Sequence, residues 1–314
     1  MRLSVYIYGM LESMQLSVVI PNYNGINLLR KRLPQVLKNV SSAEVVVVDD
    51  ASTDDSVSLI KSNFPHVKLI EKATNTGFAS SVNLGVKAAT GDVILLLNTD
   101  AVPQLNFLTH LAPHFSDSMV FAVTCLDESI EGGKTVERGR GIGSFKHGFL
   151  VHARGGTNKT NTLWASGGSS AFRKSLWEKL GGMDEMYDPF YWEDIDLSYR
   201  ALKSGYIIIF EPKSLVRHEH AQGSIKMHYS LNQIKTQSYR NQFIFVWKNI
   251  TDLELLARHL IWLPYHFIRA FMNWELELLY GFGQALLKIG TVIQRRQNTH
   301  YVKTDNEVLV QFEN

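Results

Sequence analysis

One cysteine in 314 residues, Cys125, excludes an intrachain disulfide and a cysteine zinc cluster. A lone thiol fits a reducing compartment, and the expected location is the cytoplasm. Charge of one sign is also lacking. The 32 basic and 30 acidic residues leave a formal +2, so nothing in the totals calls for a nucleic acid partner. No stretch reaches the roughly 18 uncharged apolar residues that a spanning helix needs. Leu3–Met10 is a short apolar run followed by Glu12, with no Ala-x-Ala cleavage site, which is not a signal-peptide pattern. Internal repeats and low-complexity tracts are missing too. What remains, 45% apolar and 20% charged residues, excludes disorder, collagen and coiled coil. A chain of this length hides roughly three quarters of its unfolded surface, in one large domain or two smaller ones.

The first half alternates short apolar runs with helical patterns. Strands are expected at Leu16–Ile20, Glu44–Val48, Val67–Glu71 and Asp92–Leu97, with helices near Asn27–Lys38, Asp54–Lys61 and Phe78–Ala89. This order predicts a parallel α/β sheet covered by helices on both faces, and the continuous runs EVVVV and VILLL suit strands buried on both sides. Ligands in such sheets sit beyond the carboxyl ends of the strands. Three polar clusters fall there: Pro21-Asn22-Tyr23-Asn24, Asp49-Asp50-Ala51-Ser52 and Asn98-Thr99-Asp100. Residues 117–165 are glycine-rich and predict a variable loop region or a small antiparallel sheet. A strand is expected over Tyr206–Phe210 and Ser214–Val216, and helices beyond 226.

Carboxylates at neighbouring strand ends suit a hard cation or the polar edge of a heterocycle. Asp54 and Asp55 read as helix caps, whereas Asp100 is followed by Ala-Val-Pro and has no helix to cap. Further on, Asp188, Glu193, Asp194 and Asp196 lie within nine residues among aromatic side chains. A helix N-terminus attracts one or two acids by its dipole alone. Four so close together push one pKa up and create a general base. His218 and His220 alternate at the end of a strand, which points both to one face and suits a metal. Gly167-Gly168 allows either a close backbone approach to a ligand or a tight turn before a helix at Lys174–Leu180.

In order, SVVIPNYNG (17–25), VVVVDDASTDDS (45–56), NTGFASSVNLGVKAATGDVILLLNTDAVP (75–103), the segment 164–206 around FYWEDIDL, and VRHEHAQGS (216–224) resemble the family 2 glycosyltransferases, in particular the rhamnosyltransferase-like branch. The resemblance covers most of residues 16–225. It implies a GT-A fold: a nucleotide-binding half (16–103) and an acceptor half (104–225), preceded by an extension (1–15) and followed by a helical region (226–314). It implies transfer of one sugar, with inversion, from a nucleotide-diphospho-sugar donor to a hydroxyl of a saccharide or lipid-linked acceptor, in surface polysaccharide biosynthesis. By that resemblance, Pro21, Tyr23, Asn24, Asp49 and Asp50 surround base and ribose. Gly77, Phe78 and Asn83 line the same pocket, and Gly167 and Gly168 approach the sugar or acceptor. Asn98-Thr99-Asp100 stands where the family carries Asp-x-Asp, so Asp100 takes the contact to a divalent cation, Mn²⁺ or Mg²⁺, and Asn98 offers a neutral oxygen. His218, or else His220, completes the metal shell. Asp194 is the base, with Glu193 its near rival.

Processive polysaccharide synthases of the same superfamily carry Gln-x-x-Arg-Trp; here Gln237-Ser238-Tyr239-Arg240 is followed by Asn241. A catalytically silent scaffold is the other reading, against which Asp100 and Asp194 argue. A nicotinamide enzyme is disfavoured, since no Gly-x-Gly-x-x-Gly follows the first strand. Residues 253–290 predict two amphipathic helices around Pro264 or Asn273. Their aromatics, Trp262, Tyr265, Phe267, Phe271, Trp274 and Tyr280, suit either a membrane surface on the inner, cytoplasmic face or packing on the catalytic region.

Overall fold

The computed structural model describes residues 14–41, 43–131, 134–218, 228–297 and 301–313. Most of the expected N-terminal extension, residues 1–13, lies outside them. The chain opens as β1 (Leu16–Asn22), α1 (Ile26–Asn39), β2 (Glu44–Asp49), α2 (Ser56–Asn63), β3 (Lys68–Glu71), α3 (Phe78–Ala88) and β4 (Val93–Leu97). It continues through β5 (Ala101–Pro103), α4 (Phe107–Leu111), β6 (Val120–Glu131), β7 (Lys134–Arg138), β8 (Gly141–Lys146), β9 (Phe149–Arg154) and β10 (Ser169–Arg173). Then come α5 (Lys174–Lys179), α6 (Glu193–Lys203) and β11 (Ile207–His218). The last part is helical: α7 (Leu231–Asn249), α8 (Leu253–Met272), α9 (Leu276–Leu287), α10 (Ile289–Gln297) and α11 (Asp305–Leu309).

Strands β3-β2-β1-β4-β10-β6-β11-β5 lie side by side in one sheet, with β7 added to β6. The first four are parallel, as the alternation of strand and helix requires. Successive residues on them point to opposite faces, and both faces are covered. Val18, Ile20, Val45 and Val47 pack with Leu29 and Leu33 of α1 and Ile60 of α2. Val19, Val46 and Val48 pack with Val82 and Val86 of α3 on the other side. Double burial explains the unbroken valine and leucine runs.

Two expectations need correction. Residues 117–165 are not only loops: the hairpin β8–β9 is the small antiparallel sheet foreseen, but β6 is a twelve-residue strand in the middle of the main sheet. Its first half, VFAVTCL, is a buried-strand run of the same kind as VILLL, and the glycines downstream obscured it. The segment after Gly167-Gly168 is also a strand, β10, before the helix begins at Lys174. β10 runs antiparallel to β4 and β6.

The C-terminal helices share the core of the sheet region. Phe243 and Phe245 of α7 are fully buried in one cluster with Trp192 and Tyr199. Lys203 of α6 is buried beside Asp305 at 2.8 Å. The helix break falls at Asn273, not at Pro264, which lies inside a continuous α8.

Candidate active site

The carboxyl ends of β1 and β2 form the first wall. Asn22 donates to Asp49 Oδ2 at 2.8 Å, and the Ser52 backbone N–H and hydroxyl close on the same carboxylate at 2.8 and 2.7 Å. Asn24, with φ of 50°, accepts from the Thr53 N–H at 2.7 Å and the Asp54 N–H at 3.2 Å. The loops after β1 and β2 are thereby zipped together, with Pro21 at the end of β1 and the ring of Tyr23 beside His228. Asp54 caps as expected, holding Ser56 N–H and also reaching Ile26 N–H, each at 3.0 Å. Asp55 makes no side-chain cap bond.

Asp50 reaches the other way. It accepts from the Thr76 and Gly77 N–H groups at 3.0 and 2.9 Å and pairs with Lys72 at 2.6 Å. Gly77 has φ of +108°, and a Cβ there would sit 2.8 Å from the Pro189 backbone, so only glycine fits. Phe78 begins α3, its N–H donating to Pro189 O at 3.0 Å. The first turn of α3 is capped from a distance by Asp188, which accepts from Ala79 and Ser80 N–H at 2.8 and 3.2 Å. Asn83 belongs to the scaffold: its amide donates to Met183 O and accepts from Met183 N–H.

Asp100 lies just past β4. β5 pairs antiparallel with β11 so that Ala101 stands opposite His218, and β11 pairs with β6 so that His218 stands opposite Ser129. Two residues back along β6, on the same face, is Asp127. His218 therefore sits between two carboxylates, Nε2 2.8 Å from Asp100 Oδ1 and Nδ1 2.7 Å from Asp127 Oδ2. Burial disfavours the charge on this ring, but hydrogen bonds to both acids override it and raise the pKa to about 9. Asp127 was not foreseen. The signal for it was the apolar run of β6 ending in an acid, the same pattern that marks Asp49 and Asp100. His220 lies outside the described residues.

Gly167 and Gly168 connect this corner to the acids of α6. Gly168 is the residue before β10, and its carbonyl accepts from the Asn98 N–H at 3.2 Å. A Cβ on Gly168 would fall 2.8 Å from Asn98 Cγ, so the glycine lets the segment lie against Asn98. The Gly167 N–H donates to Asp194 Oδ2 at 3.2 Å. Asp100 and Asp194 are thus both anchored to the end of β4, one through the chain itself and one through Gly167-Gly168.

The four clustered acids have four different fates. Asp188 is the cap just described; burial raises its pKa to about 6 against the pull of its N–H partners. Asp196 is wholly buried and paired, accepting from Arg200 at 2.8 Å, Lys248 at 2.8 Å, Asn249 at 2.7 Å and the Tyr187 hydroxyl at 2.9 Å. Despite desolvation, the Lys248 and Arg200 charges hold it well below the usual carboxylate range. Glu193 and Asp194 are both raised by desolvation, Glu193 further because Asp194 is its neighbour. Asp194 keeps the Gly167 N–H and its helical neighbour's N–H, Ile195, at 2.8 Å. Glu193 Oε2 is buried without a partner. Of the two, Glu193 is raised further, while Asp194 keeps the N–H donors that favour its charged form.

The backbone entering this pair is strained. Tyr191 and Trp192 have φ of 71° and 77°, a left-handed pair of bulky residues. Helix α7 holds them: Asn241 donates to Tyr191 O at 2.7 Å and Phe190 O at 3.0 Å, and Arg240 donates to Asp188 O at 2.7 Å. Gln237 reaches the carbonyls of Tyr187 and Asp188 at 3.3 Å. The Gln237-x-x-Arg240 pair is engaged in bracing this loop.

Among the described residues no three His, Cys, Asp or Glu side chains form a metal-sized cluster. The chemistry of Asp100 and His218, one oxygen and one nitrogen donor with a carboxylate behind the imidazole, still fits a Mn²⁺ or Mg²⁺ that takes further oxygens from a diphosphate.

A parallel sheet with paired acids beyond its strand ends is the arrangement of a GT-A glycosyltransferase, and a solved structure described as GalNAc-T7 with UDP, GalNAc and Mn²⁺ superposes with a TM-score of 0.61, at 22% identity over 75% of this chain and 48% of that one. The sequence model of Glycosyl transferase family 2 matches residues 17–181, and the chain belongs to that family. Its relatives include a pre-mycofactocin glycosyltransferase of Mycobacterium tuberculosis, 27% identical over 65% of this chain and 42% of the relative. Another is the O-antigen chain rhamnosyltransferase RfbN of Salmonella typhimurium, 24% identical over 66% and 67%. The chain spans less than half of the mycobacterial protein.

Proposed function

We propose that this protein transfers a single sugar from a nucleotide-diphospho-sugar to a hydroxyl of a saccharide or lipid-linked saccharide, with inversion at the anomeric carbon. The observation that carries this is the position of the Asp194 carboxyl group, tied through Gly167-Gly168 to the strand end that also bears Asp100. The acceptor oxygen bonds to the anomeric carbon as the bond to the diphosphate breaks. The electron pair leaves with the diphosphate, and the acceptor proton passes to Asp194. Negative charge gathering on the leaving diphosphate would be neutralised by a divalent cation with Asp100 and His218 as its protein ligands. Asp127 holds the imidazole of His218 in orientation. Pro21, Tyr23, Asn24 and the Asp50–Gly77–Phe78 corner form the donor side, and both substrates held in line supply much of the acceleration.

The GalNAc-T7 structure holds UDP and Mn²⁺, which supports the donor class and the cation. The name of the Salmonella relative supports a role in surface polysaccharide synthesis, with the enzyme in the cytoplasm where its single buried thiol stays reduced. The test is a panel of nucleotide-sugars with Mn²⁺ or Mg²⁺, scored for release of the nucleoside diphosphate. Release with one donor, lost on chelation and in Asp194→Asn, is expected. No release with any donor, or release that Asp194→Asn leaves intact, refutes the reading.

A further inference from the structure

A cavity of about 450 Å³ opens at the far end of α6, away from its acids. Its walls come from the turn after α5, from Arg200 and Ser204 at the end of α6, from Lys248 of α7 and from Arg295 of α10. A helix rises 1.5 Å per residue, which puts Ser204 about 15 Å along the axis from Asp194. The cavity is therefore distinct from the site already described. Its volume falls in the range of small-molecule pockets, roughly 300–1,000 Å³.

The lining is cationic on balance. Lys179, Arg200, Lys248 and Arg295 face a single carboxylate, Asp184. The inner charges are paired: Arg200 with Asp196 at 2.8 Å, and Lys248 with Asp196 at 2.8 Å and Asp184 at 2.7 Å. Arg295 stands 4.0 Å from that same Asp184 carboxylate. Lys179 has no carboxylate partner among the described residues; its ammonium lies 5.5 Å from the centre of the Tyr206 ring. The neighbouring acids are engaged elsewhere, Glu178 with Lys174 at 3.8 Å and Glu185 with the Asn83 amide at 3.1 Å.

Neutral donors line the same space. Among the described residues the hydroxyls of Ser204 and Tyr206 have no hydrogen-bond partner. Carbonyls that would repel an anion are occupied, since Arg200 donates to Gly182 O at 2.6 Å and also to Leu180 O. Gly181 has nothing within 4 Å of where a Cβ would stand, so the turn leaves that wall bare.

We propose that this cavity binds a phosphorylated small molecule about the size of a sugar phosphate. Lys179 and the Ser204 and Tyr206 hydroxyls hold the phosphate, and Arg295 adds its charge. A tetrahedral dianion uses several N–H and O–H donors at once, and charge-assisted bonds of this kind are the strong ones. The space beyond the phosphate takes the uncharged remainder of the molecule. The site stands independently of the glycosyl-transfer reading.

The test is isothermal titration of the full chain, in chelator, with inorganic phosphate and with glucose 1-phosphate. Lys179→Ala, Tyr206→Phe and Asp100→Asn are titrated beside it. Saturable binding is expected, tighter for glucose 1-phosphate than for phosphate. Lys179→Ala is expected to weaken both by about tenfold or more, and Tyr206→Phe by several-fold. Asp100→Asn is expected to bind as the parent does. Lys179 is exposed, so its variant folds; Tm and circular dichroism check this. No saturable binding of either probe, glucose 1-phosphate no tighter than phosphate, or binding that Lys179→Ala and Tyr206→Phe leave intact overturns the proposal. Binding lost in Asp100→Asn overturns it too, because the phosphate then sits at the metal corner.

Discussion

The loops after β1 and β2 and the segment from Asp188 to Asp196 are both rich in acids, yet they treat them differently. On the donor side, Asp49 closes on the Asn22 side chain and the Ser52 N–H of its own loop, Asp50 on the Gly77 N–H and Asp54 on the Ile26 N–H, and together they build a preassembled wall. In the second segment Asp188 closes on backbone N–H groups of α3, and Asp196 on the Arg200 and Lys248 side chains. Glu193, buried, and Asp194, half-buried, have raised affinity for protons, on a backbone forced into the left-handed region at the two preceding residues. Cationic partners hold a carboxylate ionised, as at Asp196, whereas burial without them raises its affinity for protons. On the proposed function, the contrast divides a region that shapes a pocket from a region that does chemistry.

Chelation of the divalent cation is the largest expected effect, because the departing diphosphate loses its charge partner. Turnover is expected to fall by about a thousandfold or more, as is typical of lost electrostatic stabilisation. Readdition of Mn²⁺ restores it; unchanged turnover in chelator breaks the account of Asp100 and His218. Asp196→Asn is the matching test of the quiet acids. It leaves Arg200 buried without its anion and Lys248 with Asp184 alone, and about 3–5 kcal/mol of stability should be lost at pH 7, seen as a lower Tm. Asp196 has a depressed pKa when folded, so its contribution is present above the unfolded carboxylate value and disappears as pH falls through the lower folded one. The Tm gap between parent and variant should therefore close toward acid pH; a gap constant with pH contradicts the ion-pair role.

Asp127→Asn sharpens the metal corner. Metal affinity measured by direct titration is expected to drop about 10–100-fold, with donor binding in the absence of metal unaltered. A smaller but diagnostic effect concerns the loop brace. Asn241→Ala removes the amide that serves the carbonyls of Tyr187, Phe190 and Tyr191, and kcat is expected to fall about tenfold while donor KM stays within a few-fold. Equal changes in both, or none, would assign Asn241 to folding alone. The pH profile comes last. Both candidate bases are raised, so the acid limb of kcat/KM should lie above the ordinary carboxylate value of about 4, activity rising with pH through it.

Much of this was readable in the sequence where one strand makes one run. The β1-to-β4 order, the helix starting at Glu193 and the three polar clusters at strand ends follow from local pattern, and the observed boundaries shift by only a few residues. What resisted was pairing across long separations. Nothing near Asp127 shows that β11 will lie beside β6 and bring His218 to it from 91 residues away. β10 is five residues between a glycine pair and a helix, too short to show a period. Asn83, placed by resemblance at the donor pocket, has its amide clasped by Met183, a contact 100 residues distant. The roles of Glu193, Asp194 and Asp196 could not be sorted from spacing alone, since beyond the i,i+4 pair Asp196–Arg200 the deciding partners, Gly167 and Lys248, come from distant parts of the chain.

Donor binding and sugar transfer, both measured on one preparation of Asp194→Asn, test the assignment of the base most directly. Nucleotide-sugar affinity within a few-fold of the parent, with transfer reduced by about 10²–10⁴-fold, is the expected result for loss of a general base. Transfer that survives within tenfold, or affinity that falls as far as transfer does, would show that the proton goes elsewhere.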